Sequence, residues 1–114
     1  MKFLLETELH ADVPVELVPK LIELHFKRRA ARGANPADGV KVDVAYGVIG
    51  KRGVVAILDA QDADALQKVL TNAPLFHYET MKVTPLCSAA TSLESVAESA
   101  QAIVAALGAS PTRA

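Results

Sequence analysis

The sequence predicts an α+β fold whose first six elements follow the order β-α-β-β-α-β. Three observations lead to this prediction. Residues 40–48 alternate apolar with polar side chains, apolar residues recur at helical spacing over residues 15–32, and a glycine-containing turn at residues 50–53 precedes a second apolar segment. The 114 residues fit one domain, and a hydrophobic fraction of 51% is enough to build a core without disulfides or metal.

The first strand and the first helix are predicted within residues 2–33. Residues 2–9 alternate well enough for a strand, with one face made of Phe3, Leu5, Thr7 and Leu9 and the other of Lys2, Leu4, Glu6 and Glu8. A helix is predicted from Val15 to Arg32, because its apolar positions recur at helical spacing. Pro19 lies close enough to its start to be tolerated, and Gly33 is a natural stop.

The second and third strands are predicted to form a hairpin around residues 50–53. The second strand has the clearest alternation in the chain, which places five side chains on one face: Val40, Val42, Val44, Tyr46 and Val48. The third strand, Val54 to Leu58, is apolar on both faces, so we expect it in the centre of the sheet.

A second helix and a fourth strand complete the unit. Asp62 or Asp59 is the expected N-cap of the helix, Pro74 ends it, and the strand runs from Leu75 to Thr84. With short, right-handed connections this order gives a ferredoxin-like sandwich, a four-stranded antiparallel sheet with two helices on one face. The other face is also substantially apolar, and a second subunit packed sheet to sheet is its simplest cover.

A third helix is predicted beyond this unit, so we divide the chain into residues 1–88 and a C-terminal helical extension with a tail, residues 89–114. A capping-box pattern at residues 91–94 opens the helix, Gly108 stops it, and residues 109–114 are expected to fray. One stripe of the helix is apolar: Leu93, Val96, Ala97, Ala100, Ile103, Val104 and Leu107. Packing on its own subunit and packing on a neighbouring subunit both stay open.

Charge and cysteine content argue against several classes of function. The net charge of −1 leaves no broad basic field for nucleic acid, and the basic cluster at residues 27–32 suits the negative end of a helix. The single cysteine, Cys87, excludes an internal disulfide, and no zinc-ligand spacing is present, so we expect neither a metal nor another cofactor. Glu6 and Glu8 interrupt the apolar start, so we expect no signal segment, no membrane association and a cytoplasmic protein.

Residues 45–88 carry the features of a known family: Gly50 at the hairpin, Asp59 after the third strand, Ala65-Leu66 and Leu70 on the second helix, Pro74-Leu75-Phe76-His77-Tyr78 at the corner, and Pro85-Leu86-Cys87. This region resembles the muconolactone isomerase family, whose corner reads Pro-Leu-Phe-Pro-Tyr, so His77 replaces a proline. The resemblance implies a dimeric α+β barrel, often assembled further, that binds a small molecule. It also implies a proton shift that moves a double bond in an unsaturated lactone.

Such a shift needs a group that takes a proton beside a carbonyl and a donor that stabilises the enolate. His25 is the candidate for proton transfer, because it lies on the apolar stripe of the first helix; the alternative is a structural histidine at the helix–sheet boundary. Tyr78, the position matched in the family, is the second catalytic candidate, and plain packing is its alternative. Arg28 is a candidate for holding an anionic substrate, although a solvated surface residue would look the same.

Three further residues are expected to bind substrate: Tyr46, Phe76 and His77. On a regular fourth strand His77 and Tyr78 would point to opposite faces, unless a bulge follows Pro74. Glu6 and Glu8 are also of interest, because a partner sheet would partly bury both carboxylates.

Two other functions fit the same sequence. One is a cofactor-independent monooxygenase acting on an electron-rich aromatic or polyketide substrate with O₂. The other is a non-enzymatic module for small-molecule binding or assembly, in which the third helix docks on a partner. Neither the substrate nor an assembly state beyond a dimer follows from the sequence.

Overall fold

The computed structural model describes residues 1–108 and confirms the predicted α+β architecture. Its elements are β1 (Lys2–Leu9), α1 (Val18–Arg32), β2 (Val40–Gly47), β3 (Gly53–Ala60), α2 (Ala63–Thr71), β4 (Glu79–Leu86) and α3 (Ala89–Leu107). The four strands form one antiparallel sheet in the order β2-β3-β1-β4, which is the ferredoxin-like order. The predicted frayed tail, residues 109–114, lies outside the described residues.

The two helices of the βαββαβ unit cover one face of the sheet. α2 contributes Leu66 to a buried cluster with five strand residues: Phe3, Val40, Ala56, Leu58 and Ala60. α1 contributes Leu21 to a second cluster, with Leu9, Val13 and Leu75. Phe3 and Leu9 have the same parity on β1, so both clusters lie on the same side of the sheet. The opposite side, which we call the open face, carries no helix of this unit.

The first helix starts later than predicted. Residues Val15–Leu17 form a single 3₁₀ turn, and the α-helix begins at Val18. Pro19 explains the difference, because an α-helix starting at Val15 would need the N–H of residue 19 to reach the carbonyl of Val15. The N–H of Val18 donates to that carbonyl instead, which is the 3₁₀ pattern. Gly33 caps the other end of α1, as predicted, and its N–H donates to the carbonyl oxygen of Arg29 over 3.2 Å.

The predicted single face of β2 is wrong, because a β-bulge interrupts the strand. Val42 pairs with Leu58 but Val44 pairs with Ile57, so one extra residue, Asp43, stands between them. Leu58 faces the helices and Ile57 faces the open side. Val44 and the residues after it are therefore turned over relative to Val42. The Asp43 carboxylate forms an ion pair with the ammonium group of Lys2, which also lies 3.2 Å from the carboxylate of Asp59.

The fourth strand starts four residues later than predicted. Phe76–Tyr78 form a 3₁₀ turn, and β4 begins at Glu79. The N–H of Tyr78 donates to the carbonyl of Leu75 over 2.9 Å, so this segment folds on itself before it can pair with β1. Strand alternation therefore does not govern the directions of His77 and Tyr78.

The third helix starts earlier than its predicted capping box. Ser88 is the N-cap, and its hydroxyl oxygen accepts from the N–H of Thr91 over 3.1 Å. Thr91 is thus the third helical residue and not the cap. Gly108 ends the helix in the left-handed conformation, as predicted. None of the nineteen residues of α3 is buried.

The described chain is elongated, with extents of 63 × 33 × 21 Å. Among the described residues, no helix combines the length with the apolar character that crossing a bilayer would require.

Candidate active site

His25 lies on the face of α1 that is directed toward the connection between α2 and β4. Leu21, one turn before it, shares a hydrophobic cluster with Leu75 in that connection. Arg28, about one turn after it, donates from Nη1 to the carbonyl oxygen of Asn72 over 2.8 Å. Because residues 21, 25 and 28 share one helix face, His25 lies between two points at which α1 meets the connection.

The imidazole of His25 is half-buried, and its surroundings favour the neutral form. Burial lowers the pKa of His25 below its ordinary value of 6.5, and the guanidinium of Arg29 lowers it further. The ring meets Phe26 edge to face, with 5.6 Å between ring centroids. A neutral imidazole near neutral pH can accept a proton from a substrate carbon.

The 3₁₀ turn at the start of β4 holds the three corner residues. Phe76 is half-buried and meets His77 edge to face at 5.0 Å between centroids, while the His77 ring itself is exposed. Tyr78 is partly exposed, and its carbonyl oxygen accepts from the N–H of His10 over 2.9 Å. The turn is therefore tied to the end of β1, with an imidazole and a phenol at its surface.

Glu79 is a half-buried carboxylate that the site predictions omitted. It pairs with Leu9 in the sheet and faces the same side as the helices. Burial raises the pKa of Glu79 above its ordinary value of 4.5, and a hydrogen bond from Thr7 opposes that rise. Thr7 and Leu9 were predicted on one face of β1. If the register of β4 against β1 had been predicted correctly, Glu79 would have been expected on the same face of the sheet as Thr7 and Leu9.

An open cleft of about 610 Å³ lies elsewhere, at the end of the sheet formed by the β2–β3 turn. Its charged and imidazole side chains are Glu6, Glu8, His10, Lys51 and Lys82. Glu6 pairs with Lys82 in the sheet, and both face the open side. The two glutamates were already of interest from the sequence. The two lysines were not, because one lies in the β2–β3 turn and the other on β4, and only the strand register brings them close to the glutamates.

None of the six predicted site residues lines this cleft. His25 and Arg28 on α1 lie beside the connection that leads into the Phe76–Tyr78 turn. Five of the six predicted site residues therefore lie in one region of the molecule: His25, Arg28, Phe76, His77 and Tyr78. Tyr46 is separate from them. It is 65% exposed on the open face of β2, at the sheet edge opposite β4.

Arg28 has a structural contact in addition to its predicted role. Its bond to the Asn72 carbonyl joins α1 to the residue that caps α2. One guanidinium has five N–H donors, so this bond leaves donors for a ligand. Within residues 1–108, no three histidine, cysteine, aspartate or glutamate side chains are grouped so that they could hold a metal ion.

Taken together, the sheet order, the helices on one face and a half-buried histidine beside the corner turn define a small α+β protein with a candidate acid–base site. Comparison with known proteins identifies its family. The family model for muconolactone delta-isomerase matches residues 1–91, and the chain belongs to that family.

Individual relatives agree with this assignment. The chain is 25% identical to the muconolactone delta-isomerase of Rhodococcus opacus over 83 residues, which cover 73% of this chain and 89% of the relative. A crystal structure of muconolactone isomerase matches the fold with a TM-score of 0.61 at 19% identity. It covers 77% of this chain and 90% of that one. The match to the family model ends at residue 91, near the start of α3.

Proposed function

We propose that this protein is a small-molecule isomerase that moves a double bond by proton transfer, as the name of its family suggests. The observation that carries the proposal is His25, a half-buried histidine with a lowered pKa. It lies within the part of the chain that the family model matches. A base of this kind suits abstraction of a proton beside a carbonyl at neutral pH. The substrate class is a small unsaturated lactone or a related cyclic compound.

In the proposed reaction, the His25 imidazole takes a proton from a substrate carbon whose C–H bond is made acidic by the carbonyl, either directly or through the conjugated double bond. The electrons of that C–H bond form a dienolate, and the imidazolium returns the proton to the other end of the dienolate carbon chain, so the double bond has moved and no atom is gained or lost. The Tyr78 hydroxyl and the remaining Arg28 donors would stabilise the enolate oxygen. Phe76 and His77 would line the same region.

The proposed working form is a homodimer packed sheet to sheet. The open face supports this arrangement, because it has a central apolar patch made of Leu4, Val44, Val55 and Ile57, with Tyr46 and Leu86 at its margins. A partner sheet on this patch would bring the exposed Tyr46 of one subunit under the other. It would also cover the cleft that contains Glu6 and Glu8.

The direct test is turnover of muconolactone by the His25→Asn variant. Under nitrogen and in D₂O, the wild-type protein should shift the double bond and incorporate deuterium, which NMR detects. The variant should lose about 10²-fold or more of kcat, because general base catalysis contributes about 10²–10⁴-fold. Activity that requires O₂ would instead favour a monooxygenase.

The matched control is Lys27→Gln, which removes an exposed charge two residues away on the same helix. It should keep the wild-type rate. If His25→Asn turns over substrate as fast as this control does, His25 has no part in the reaction. If the wild-type protein moves no proton in any unsaturated lactone tested, the proposed function itself is wrong.

A further inference from the structure

The third helix presents an apolar stripe that its own domain leaves exposed. Leu93 is 71% exposed, Val96 65%, Ile103 57% and Leu107 73%. A helix of nineteen residues is about 28 Å long, and none of these residues is buried. Exposure of large apolar side chains along a whole helix marks an interaction surface. The match to the family model ends at residue 91, so this surface lies outside the matched region.

The leucines and valines of the stripe are placed symmetrically about Ala100. Leucines stand seven residues before and after it, at 93 and 107, and valines stand four residues before and after it, at 96 and 104. Three residues away on either side are Ala97 and Ile103, a small and a large side chain. A two-fold interface places the same patch of two copies face to face, so an antiparallel pair centred on Ala100 would set leucine beside leucine, valine beside valine and the small Ala97 beside the large Ile103.

We propose that α3 pairs with α3 of a second copy of this chain, antiparallel and around a two-fold axis at Ala100. In this pair Leu93 lies beside Leu107 of the second copy, Val96 lies beside its Val104, and Ala97 accommodates its Ile103. The two Ala100 residues meet at the axis, where the absence of a bulky side chain allows the helices to approach closely.

Charge favours the antiparallel orientation over the parallel one. The helix carries two acidic residues, Glu94 and Glu98, and no basic residue. In a parallel pair the two copies of each glutamate would lie at the same level and the two helix dipoles would point the same way. In the antiparallel pair Glu94 is offset from its own copy by twelve residues along the axis, about 18 Å, and Glu98 by four residues, about 6 Å, and the dipoles oppose.

This pairing is independent of the proposed reaction and of the proposed sheet-to-sheet dimer. The sheet-to-sheet dimer would use the open face, and the helix pairing would use α3. Two different two-fold interfaces on one chain join dimers into larger closed or chain-like assemblies.

Single cysteines on a Cys87→Ser background test the geometry of the pair. Ala100→Cys should give a disulfide-linked or bismaleimide-linked dimer under mild conditions. Leu93→Cys and Leu107→Cys should each fail to link alone, since each lies about 21 Å along the axis from its own copy, but should link when the two variants are coexpressed. Glu98→Cys, on the outer side of the helix, is the control and should stay unlinked.

Self-linking of Leu93→Cys would mean a parallel pair and would overturn the proposal. The proposal would also be overturned if Ala100→Cys linked no faster than Glu98→Cys, because α3 would then pack against something other than a second α3. A second measurement uses Ile103→Glu, whose mass from light scattering should fall below that of the wild-type assembly, while Glu98→Gln keeps the full mass. Equal masses for these two variants would contradict the pairing, and circular dichroism would show that both are folded.

Discussion

Two half-buried ionisable side chains, His25 and Glu79, lie on the helix-covered side of this molecule or at its margin. Burial moves their pKa values in opposite directions, since it disfavours the charged form of each, and it lowers the pKa of His25 and raises that of Glu79. The helical periodicity of residues 15–32 was enough to place His25 on the apolar stripe of α1, but not beside the α2–β4 connection. Glu79 was not found, because its burial depends on how β4 pairs with a strand seventy residues earlier.

These pKa shifts predict opposite dependences of stability on pH. The unfolded chain protonates His25 near pH 6.5, and the folded chain does so only at lower pH, so the free energy of unfolding falls as pH drops through this window. The folded chain holds the Glu79 proton above pH 4.5, where the unfolded chain has lost it. Stability contributed by that proton is therefore lost as pH rises toward the raised pKa.

Urea unfolding at a series of pH values separates the two contributions. His25→Asn should flatten the decline just below pH 6.5, and Glu79→Gln should flatten the opposite slope that begins near pH 4.5. A His25→Asn variant with the same pH dependence as the wild-type protein would contradict the described burial of the imidazole.

At the scale of elements, the strands were predicted well and their register was not. Alternation over residues 40–48 continued across the bulge, because valine suits either face of a sheet whose two sides are both apolar. Because of Pro19, α1 starts at Val18 and not at the predicted Val15. The turn at Phe76–Tyr78 was predicted as part of a strand. Each of these errors lies where a local backbone feature interrupts a regular pattern.

Gly53 shows how closely two strands approach. A Cβ built on it would lie 2.0 Å from the carbonyl oxygen of Thr7 on β1. Gly53→Ala should therefore force β3 and β1 apart and reduce the free energy of unfolding by about 1–3 kcal/mol. Gly47→Ala is the matched control in the neighbouring strand, where the added atom meets nothing within 4 Å, and its effect should stay within about 0.5 kcal/mol.

Denaturant unfolding of both variants gives the comparison. Equal stability of the two alanine variants would show that β3 can move away from β1 at no cost.

At the scale of the whole molecule, the sequence predicted the sheet, the helices and the apolar character of the open face. It did not reveal how the open face divides into an apolar centre and charged ends, because that division follows from the bulge and from strand register. The corner at residues 74–78 was also not enough on its own to predict which residues surround the candidate site. Its relation to His25 depends on the contacts of Leu21 and Arg28 with the α2–β4 connection.

The proposed sheet-to-sheet dimer predicts the behaviour of one open-face variant. Val44 is on the edge strand and is exposed in the single chain, so Val44→Glu should leave the domain folded but place a charge inside the interface. Multi-angle light scattering on the Ile103→Glu background should then show a dimer without the second substitution and a monomer with it.

Lys20→Glu, an exposed change on α1, is the control and should keep the dimer on the same background. A dimer that survives Val44→Glu would mean that the open face is not where subunits meet.

The bulge at Asp43 makes β2 tolerant of changes at this one position. The Asp43 side chain contributes an exposed ion pair, which is worth little, so many replacements at this position should be neutral. Loss of the residue itself would remove the bulge, because Val44 would follow Val42 directly and still lie opposite Ile57. Tyr46 would stay on the open face and Ala45 on the helix side, so a deletion of a single codon would straighten this strand without exchanging its two surfaces.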